Sequence, residues 1–220
     1  MRGSVIVLLS GGQDSATCLA LATRQYKEVY TMSFDYGQRH IIELVCSKKL
    51  AEIAQVKEHF VIPVSSLRRL GDSALLEMQS DISASHRSKD KLPASFVPGR
   101  NLVFLSLASA KAYQLRVYDI MTGVCQTDFS GYPDCRDTSI KAIQTAAFLC
   151  LDYPIYIHTP LMWKTKTETV FLMKRLGKLE WYKHTHTCYE GRRPPCGKCP
   201  ACKLRTKGFE GAGEIDPLLS

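Results

Sequence analysis

Apolar and polar positions along this chain alternate between two periods. Short apolar runs fall at 4–9, 29–34, 59–63, 117–122 and 154–158, and longer stretches with apolar residues every third or fourth position fall at 14–25, 39–55, 100–114, 138–149 and 166–176. The runs predict buried strands and the stretches predict amphipathic helices. In the second helical stretch Ile41, Ile42, Val45, Leu50 and Ile53 form an apolar stripe, while Lys48, Lys49 and Glu52 can face water. Such an alternation predicts an α/β fold: a doubly wound, parallel five-stranded sheet with right-handed crossovers and helices on both faces.

Two stretches break the pattern. Residues 65–98 are polar, carry the charge run His86-Arg87-Ser88-Lys89-Asp90-Lys91 and end in Pro98-Gly99. They read as an excursion or lid, with a short helix near 72–78 and the charge run as solvated loop. Residues 177–220 combine cysteines, Gly and Pro with little periodicity. That composition predicts a small C-terminal segment that cannot build a core and needs a metal staple. The expected organisation is therefore an α/β domain at 1–176 and a metal-binding segment at 177–220. Trp163 and Trp181 read as packing residues.

Composition narrows the class. With 220 residues and ordinary apolar and charged fractions, the chain suits one globular domain plus an appendage. No apolar run approaches the ~18–20 residues of a membrane span. The opening Val5-Ile6-Val7-Leu8-Leu9 runs straight into a glycine turn, which reads as a first strand rather than a leader, so a cytoplasmic location is expected. Nine cysteines in such a chain point to metal binding or catalysis rather than disulfides. Cys18, Cys46 and Cys150 fall in helical patterns and read as small buried hydrophobes; Cys125 and Cys135 lie nearer a candidate site. The net charge of +8 suits a polyanion, but the basic residues are spread along the chain. Phosphate and carboxylate substrates need positive potential as well, so charge alone does not decide; with no separate RNA-binding domain in the chain, no direct nucleic-acid partner is expected.

The sharpest local signal is Leu8-Leu9-Ser10-Gly11-Gly12-Gln13-Asp14-Ser15, between the first strand and the first helix. Two glycines permit a sharp turn and close backbone approach to a ligand, and the helix N-terminus then offers an anion site. Ser10 and Ser15 add hydroxyl donors. Asp14 suits either an N-cap or a ligand to phosphate-bound magnesium. The loop lacks the lysine of the Gly-x-x-x-x-Gly-Lys-Ser/Thr type.

The second signal is Cys188, Cys196, Cys199 and Cys202. Two overlapping two-residue spacings place three thiolates on one ion, and Cys188 closes a tetrahedral shell. Zinc in a structural role fits best, although three close cysteines also suit an iron–sulfur cluster. His184 and His186 are read as non-ligands.

The Ser-Gly-Gly-x-Asp-Ser loop resembles that of the PP-loop ATPases, which cleave ATP between the α and β phosphates to adenylate a substrate oxygen. Phe34-Asp35-Tyr36-Gly37-Gln38-Arg39-His40, Phe96-Val97-Pro98-Gly99-Arg100-Asn101 and Thr127-Asp128-Phe129-Ser130-Gly131-Tyr132-Pro133-Asp134-Cys135-Arg136 accompany it. Together with the terminal cysteines, the chain resembles the 7-cyano-7-deazaguanine synthase family over essentially its whole length. The resemblance implies conversion of 7-carboxy-7-deazaguanine and ammonia to the nitrile with Mg-ATP, one structural zinc per chain and a homodimer. It implies ATP binding by residues 8–15 with Phe34, Tyr36 and Gly37, and catalysis by Asp14, Ser15, Lys166 and Arg100. It further implies substrate contacts from Arg100, Asn101, Asp128, Tyr132 and Asp134. For Asp128 and Asp134 a turn-forming role is the other reading, and for Lys166 a solvent-facing one. A PP-loop enzyme that modifies tRNA by thiolation or base amination, and a non-catalytic zinc module that binds nucleic acid, are the alternative functions.

Overall fold

The computed structural model describes residues 1–37, 42–69, 85–86, 89–93, 95–127 and 132–219. In chain order the main elements are β1 (Arg2–Leu8), α1 (Gln13–Gln25), β2 (Tyr26–Asp35), α2 (Ile42–Ile53), β3 (Glu58–Pro63), β4 (Ser85–His86), β5 (Lys89–Pro93), α3 (Arg100–Leu115), β6 (Asp119–Met121), α4 (Asp137–Leu151), β7 (Tyr156–His158), α5 (Lys166–Arg175) and α6 (Pro200–Ala212). Short 3-10 helices at Ser65–Arg69, Pro133–Cys135 and Leu179–His184 join them.

Five strands form one sheet in the order β3-β2-β1-β6-β7, and every pairing is parallel. The chain winds outward from β1 to β3, then returns to pair β6 on the other side of β1. That reversal opens a crevice at the carboxyl end of β1, where doubly wound folds bind ligands. β1 explains its own place at the centre. Val5, Val7 and Leu9 feed one buried cluster with α1, α2, α5 and α6, while Ile6 feeds the opposite cluster with α3 and α4.

All five expected sheet strands and the five expected helices are present, with ends shifted by a few residues. Several local expectations are corrected. In α2 the buried face is Cys46, Ser47, Leu50 and Ala51, whereas Val45 is exposed. The helix turns small residues inward because its N-terminal half presses on a glycine turn, as described below; Ile41 lies outside the described residues. Cys150 and Trp163 are exposed rather than packed, since α4 and the loop after β7 present them to solvent. The charge run includes the antiparallel hairpin β4–β5. The short helix expected near 72–78 lies outside the described residues.

The largest departure is α6. Residues 177–220, expected to be aperiodic, contain a helix of 13 residues. Ala201, Arg205, Gly208, Phe209 and Ala212 are buried along it, and Phe209 and Ala212 join Trp181 and Tyr182 in the cluster that holds β1 and α1. Glycines make this packing possible. A Cβ at Gly208 would sit 2.8 Å from the Lys166 Cβ, and one at Gly211 would collide with the Thr167 hydroxyl, so α6 lies directly on the first turn of α5. Among the described residues no helix is long and apolar enough to cross a membrane. Because Phe209 is fully enclosed, Phe209→Ala is expected to lower unfolding free energy by about 3–5 kcal/mol in urea titration. Loss of both the α6 and the β1 signals in one transition checks that they share a core.

Candidate active site and metal centre

The turn after β1 owes its shape to Gly11. Its φ is +84°, a left-handed conformation that side chains resist, and a Cβ there would collide with the Glu43 carbonyl oxygen and lie 3.0 Å from Cys46 Cβ. From the other side the His186 N–H donates to the Gly11 carbonyl at 2.8 Å. Gly12 is the N-cap of α1 and has no side-chain cap, which leaves the first N–H groups of that helix to a ligand. Asp14 is thus not the N-cap. It lies within the first turn of α1, and its Oδ2 accepts from Lys166 Nζ at 2.6 Å. The Asp14 Oδ1 is buried and has no hydrogen-bond partner among the described residues. Ser10 Oγ donates to Ser15 Oγ at 3.1 Å and accepts from the Gly12 N–H, so the two hydroxyls brace the loop.

Lys166 is placed by α5. Thr165 caps that helix and forms a reciprocal capping box with Glu168, which fixes Lys166 as the first helical residue. The Lys166 side chain is only 13% exposed, so it is not a solvent-facing lysine.

A cavity of about 330 Å³ opens at the switch point. Leu8, Leu9, Ser10, Gly12, Gln13, Asp14 and Ser15 line one side, with Phe34, Tyr36, Arg100, Asn101, Tyr132 and Lys166 around it. Gly11 and Gly37 shape turns without lining it; Gly37 has φ +74° and its N–H donates to Asp35. Asp134 also stands behind the wall, where its Oδ2 accepts the Asn101 N–H at 3.0 Å at the start of α3. Asp128 lies outside the described residues. Burial works against the charge on Arg100, yet Tyr36, Tyr132 and Asp134 hold its pKa above the usual value. Its guanidinium is 6.0 Å from the Tyr36 ring centroid and 5.8 Å from that of Tyr132. Cys125 and Cys135 both line the cavity, and burial pushes the Cys135 thiol up to about 12, which keeps it protonated.

Glu43, His186, Thr187, Tyr189 and Arg205 also line the cavity and carry no motif that marks them in the sequence. Arg205 is buried, and its donors go to Asp216, Thr185, Thr187 and the Tyr182 carbonyl. A buried arginine with a helical spacing of 201, 205, 208, 209 and 212 is the one trace these residues leave in the chain.

The four cysteines converge. The thiols of Cys188, Cys196, Cys199 and Cys202 all lie within 4.8 Å of one another, and Cys196 and Cys202 are 3.9 Å apart. A tetrahedron with bonds of ~2.3 Å to sulfur has edges of ~3.8 Å, so the donor set fits zinc. Backbone N–H groups of Cys196, Cys199 and Cys202 donate to the sulfurs of Cys188, Cys196 and Cys199, an arrangement that favours thiolates. His186 is not part of the cluster; its Nε2 pairs with the Cys188 carbonyl oxygen.

Fold and loop together define a doubly wound α/β protein of the PP-loop type. Its shape is shared with a 4-thiouridine synthetase solved as an RNA complex with bound ATP, at a TM-score of 0.53 and 16% identity over 96% of this chain and 50% of that one. The chain belongs to the family described as "Queuosine biosynthesis protein QueC", whose model matches residues 4–213. A 7-cyano-7-deazaguanine synthase of Chromobacterium violaceum is 48% identical over 97% of this chain and 92% of its own. That of Bacillus subtilis is 50% identical over 95% and 94%. This chain is accordingly an enzyme of a queuosine-biosynthesis family.

Gly11→Ala is expected to cost about 1–3 kcal/mol from backbone strain alone, with more from the collision with α2. Thermal denaturation of the variant checks it.

Proposed function

We propose that this enzyme is an ATP-dependent carbon–nitrogen ligase that converts 7-carboxy-7-deazaguanine and ammonia to 7-cyano-7-deazaguanine. The observation that carries the reading is the Asp14–Lys166 pair at the open end of α1, in a chain matched almost end to end by synthases of that name. We read residues 1–176 as the ATP-binding domain and 177–220 as a zinc-held segment that walls the cavity, in a cytoplasmic homodimer without a direct nucleic-acid partner.

In this reading the pyrophosphate end of ATP meets the N–H groups and hydroxyls of Ser10–Ser15, with Leu8, Leu9, Phe34 and Tyr36 around the adenosine and Gly37 shaping the turn that follows Tyr36. The unpartnered Asp14 Oδ1 suits a magnesium ion, which supplies charge neutralisation on the phosphates when bound. Arg100 attracts the substrate carboxylate, with Asn101, Tyr132 and Asp128 along the heterocycle. Asp134 positions Arg100 and the start of α3. The carboxylate oxygen attacks the α phosphorus of ATP and pyrophosphate leaves; ammonia then displaces AMP to give the amide. A second ATP activates the amide oxygen, and loss of AMP leaves the nitrile. Charge accumulates on the departing pyrophosphate, where Lys166 and the helix N-terminus stabilise it. The rest is positioning. Zinc at Cys188, Cys196, Cys199 and Cys202 is structural, since four thiolates leave no open position.

Mass spectrometry of a mixture with 7-carboxy-7-deazaguanine, ammonium and Mg-ATP is expected to show the nitrile and AMP. A folded, zinc-loaded protein that makes neither overturns the reading in favour of a tRNA substrate. Asp14→Ala is expected to lower turnover by about 10²–10³-fold, with the circular dichroism spectrum retained. Chelation of the metal is expected to lower the melting temperature and the activity together. A metal-free protein that stays folded and fully active refutes the structural role.

A further inference from the structure

Glu43 is a carboxyl group in the cavity that the steps above leave without a task. It is the second residue of α2, its carbonyl oxygen fills the space beside Gly11, and it lines the same cavity as Asp14, Arg100 and Lys166, with its carboxyl in electrostatic reach of Arg100 and Tyr36. No hydrogen bond or ion pair to its carboxyl oxygens is found among the described residues. Burial raises its pKa to about 7, and the charge of Arg100 on α3 opposes that rise. The other groups coupled to it are Tyr36 at the end of β2 and Cys46 one turn along α2. Cys46 in turn accepts from Arg193 of the C-terminal segment. A half-buried carboxyl with no partner among the described residues, in a cavity with Arg100 and Lys166, suits a small cation.

Its position relative to Arg100 says where that cation would sit. If Arg100 draws the substrate carboxylate, Glu43 flanks the carbon that is activated. The hydrogen-bonding edge of the deazaguanine lies across the fused ring from that carbon, out of reach of the same side chain. We propose that Glu43 binds ammonium and takes a proton from it, delivering ammonia to the activated carboxyl carbon. This rests on the ligase reading above.

The step balances. Ammonium has no lone pair, so it must lose one proton, which passes to a Glu43 carboxylate oxygen. The freed lone pair forms the C–N bond as the bond from the carbonyl carbon to the adenylate oxygen breaks. The second proton shed by nitrogen leaves on the phosphate of the departing AMP. Burial of the carboxyl serves this chemistry, because a carboxylate with raised proton affinity is a better base.

The test separates the two half-reactions. Exchange of labelled pyrophosphate into ATP, dependent on 7-carboxy-7-deazaguanine, reports adenylation; amide and nitrile formation report ammonia transfer. Glu43→Gln is expected to keep exchange and the KM for the acid, while kcat/KM for ammonium falls about 10²-fold. Hydroxylamine, an uncharged nucleophile at neutral pH, is expected to give the hydroxamate at wild-type rate in the same variant. Glu43→Asp retains a carboxylate and should recover part of the ammonium activity. An unchanged ammonium dependence in Glu43→Gln overturns the assignment, as does a raised KM for the acid, which would place Glu43 on the heterocycle. Absence of exchange in the wild-type enzyme overturns the ligase reading, and this assignment with it.

Discussion

A missing side chain organises this molecule. At Gly11 the backbone takes a left-handed turn so tight that α2 rests its Glu43 carbonyl, Cys46 and Ser47 against the bare Cα, while the His186 N–H bonds the Gly11 carbonyl from the other side. Three parts of the chain that are far apart in sequence meet on that residue. The consequence for the cavity is direct. The start of α2 contributes Glu43 because it is pressed against the turn, and the C-terminal segment contributes Thr187, Tyr189 and Arg205 because it is hydrogen-bonded there.

Two arginines show how partners divide structural from chemical work. Arg205 spends its guanidinium on Asp216, two threonine hydroxyls and a carbonyl, and stacks near Tyr182 and Phe209. A buried cation so fully satisfied holds the C-terminal tail to the core, since removing Asp216 would strand the charge. Arg100 instead stands at the cavity wall between the faces of Tyr36 and Tyr132. Aromatic faces hold the cation in place without neutralising it, so its positive charge persists at the cavity wall.

The sheet was legible because parallel strands buried on both faces must read as unbroken apolar runs, as Val5-Ile6-Val7 does. The loop after β1 and the four cysteines were legible because their chemistry demands particular residue types at particular spacings, whereas Lys166 and Arg100 were singled out only through the family resemblance. Helix α6 was not. Its inward face is Ala201, Arg205, Gly208, Phe209 and Ala212, a helical period broken at its centre by an arginine and a glycine. Only contact with α5 reveals that the glycines are there for closeness. Glu43, His186 and Asp134 eluded or altered their reading for a related reason: each is defined by what it touches, and those neighbours lie tens of residues away. The apolar stripe of α2 misled in the opposite direction, since Val45 is exposed while Cys46 and Ser47 turn inward.

The seam between α5 and α6 has an evolutionary reading. Cys199 caps α6 and Cys202 sits in its first turn, while Gly208 further along the same helix abuts the Cβ of Lys166. Drift at position 208 or 211, neither of which lines the cavity, therefore displaces the lysine that faces Asp14. A lineage that lost either glycine would have to rebuild the helix beneath its own active site. Tolerance to mutation in this enzyme is thus set by adjacency along a rigid helix rather than by distance from the ligand.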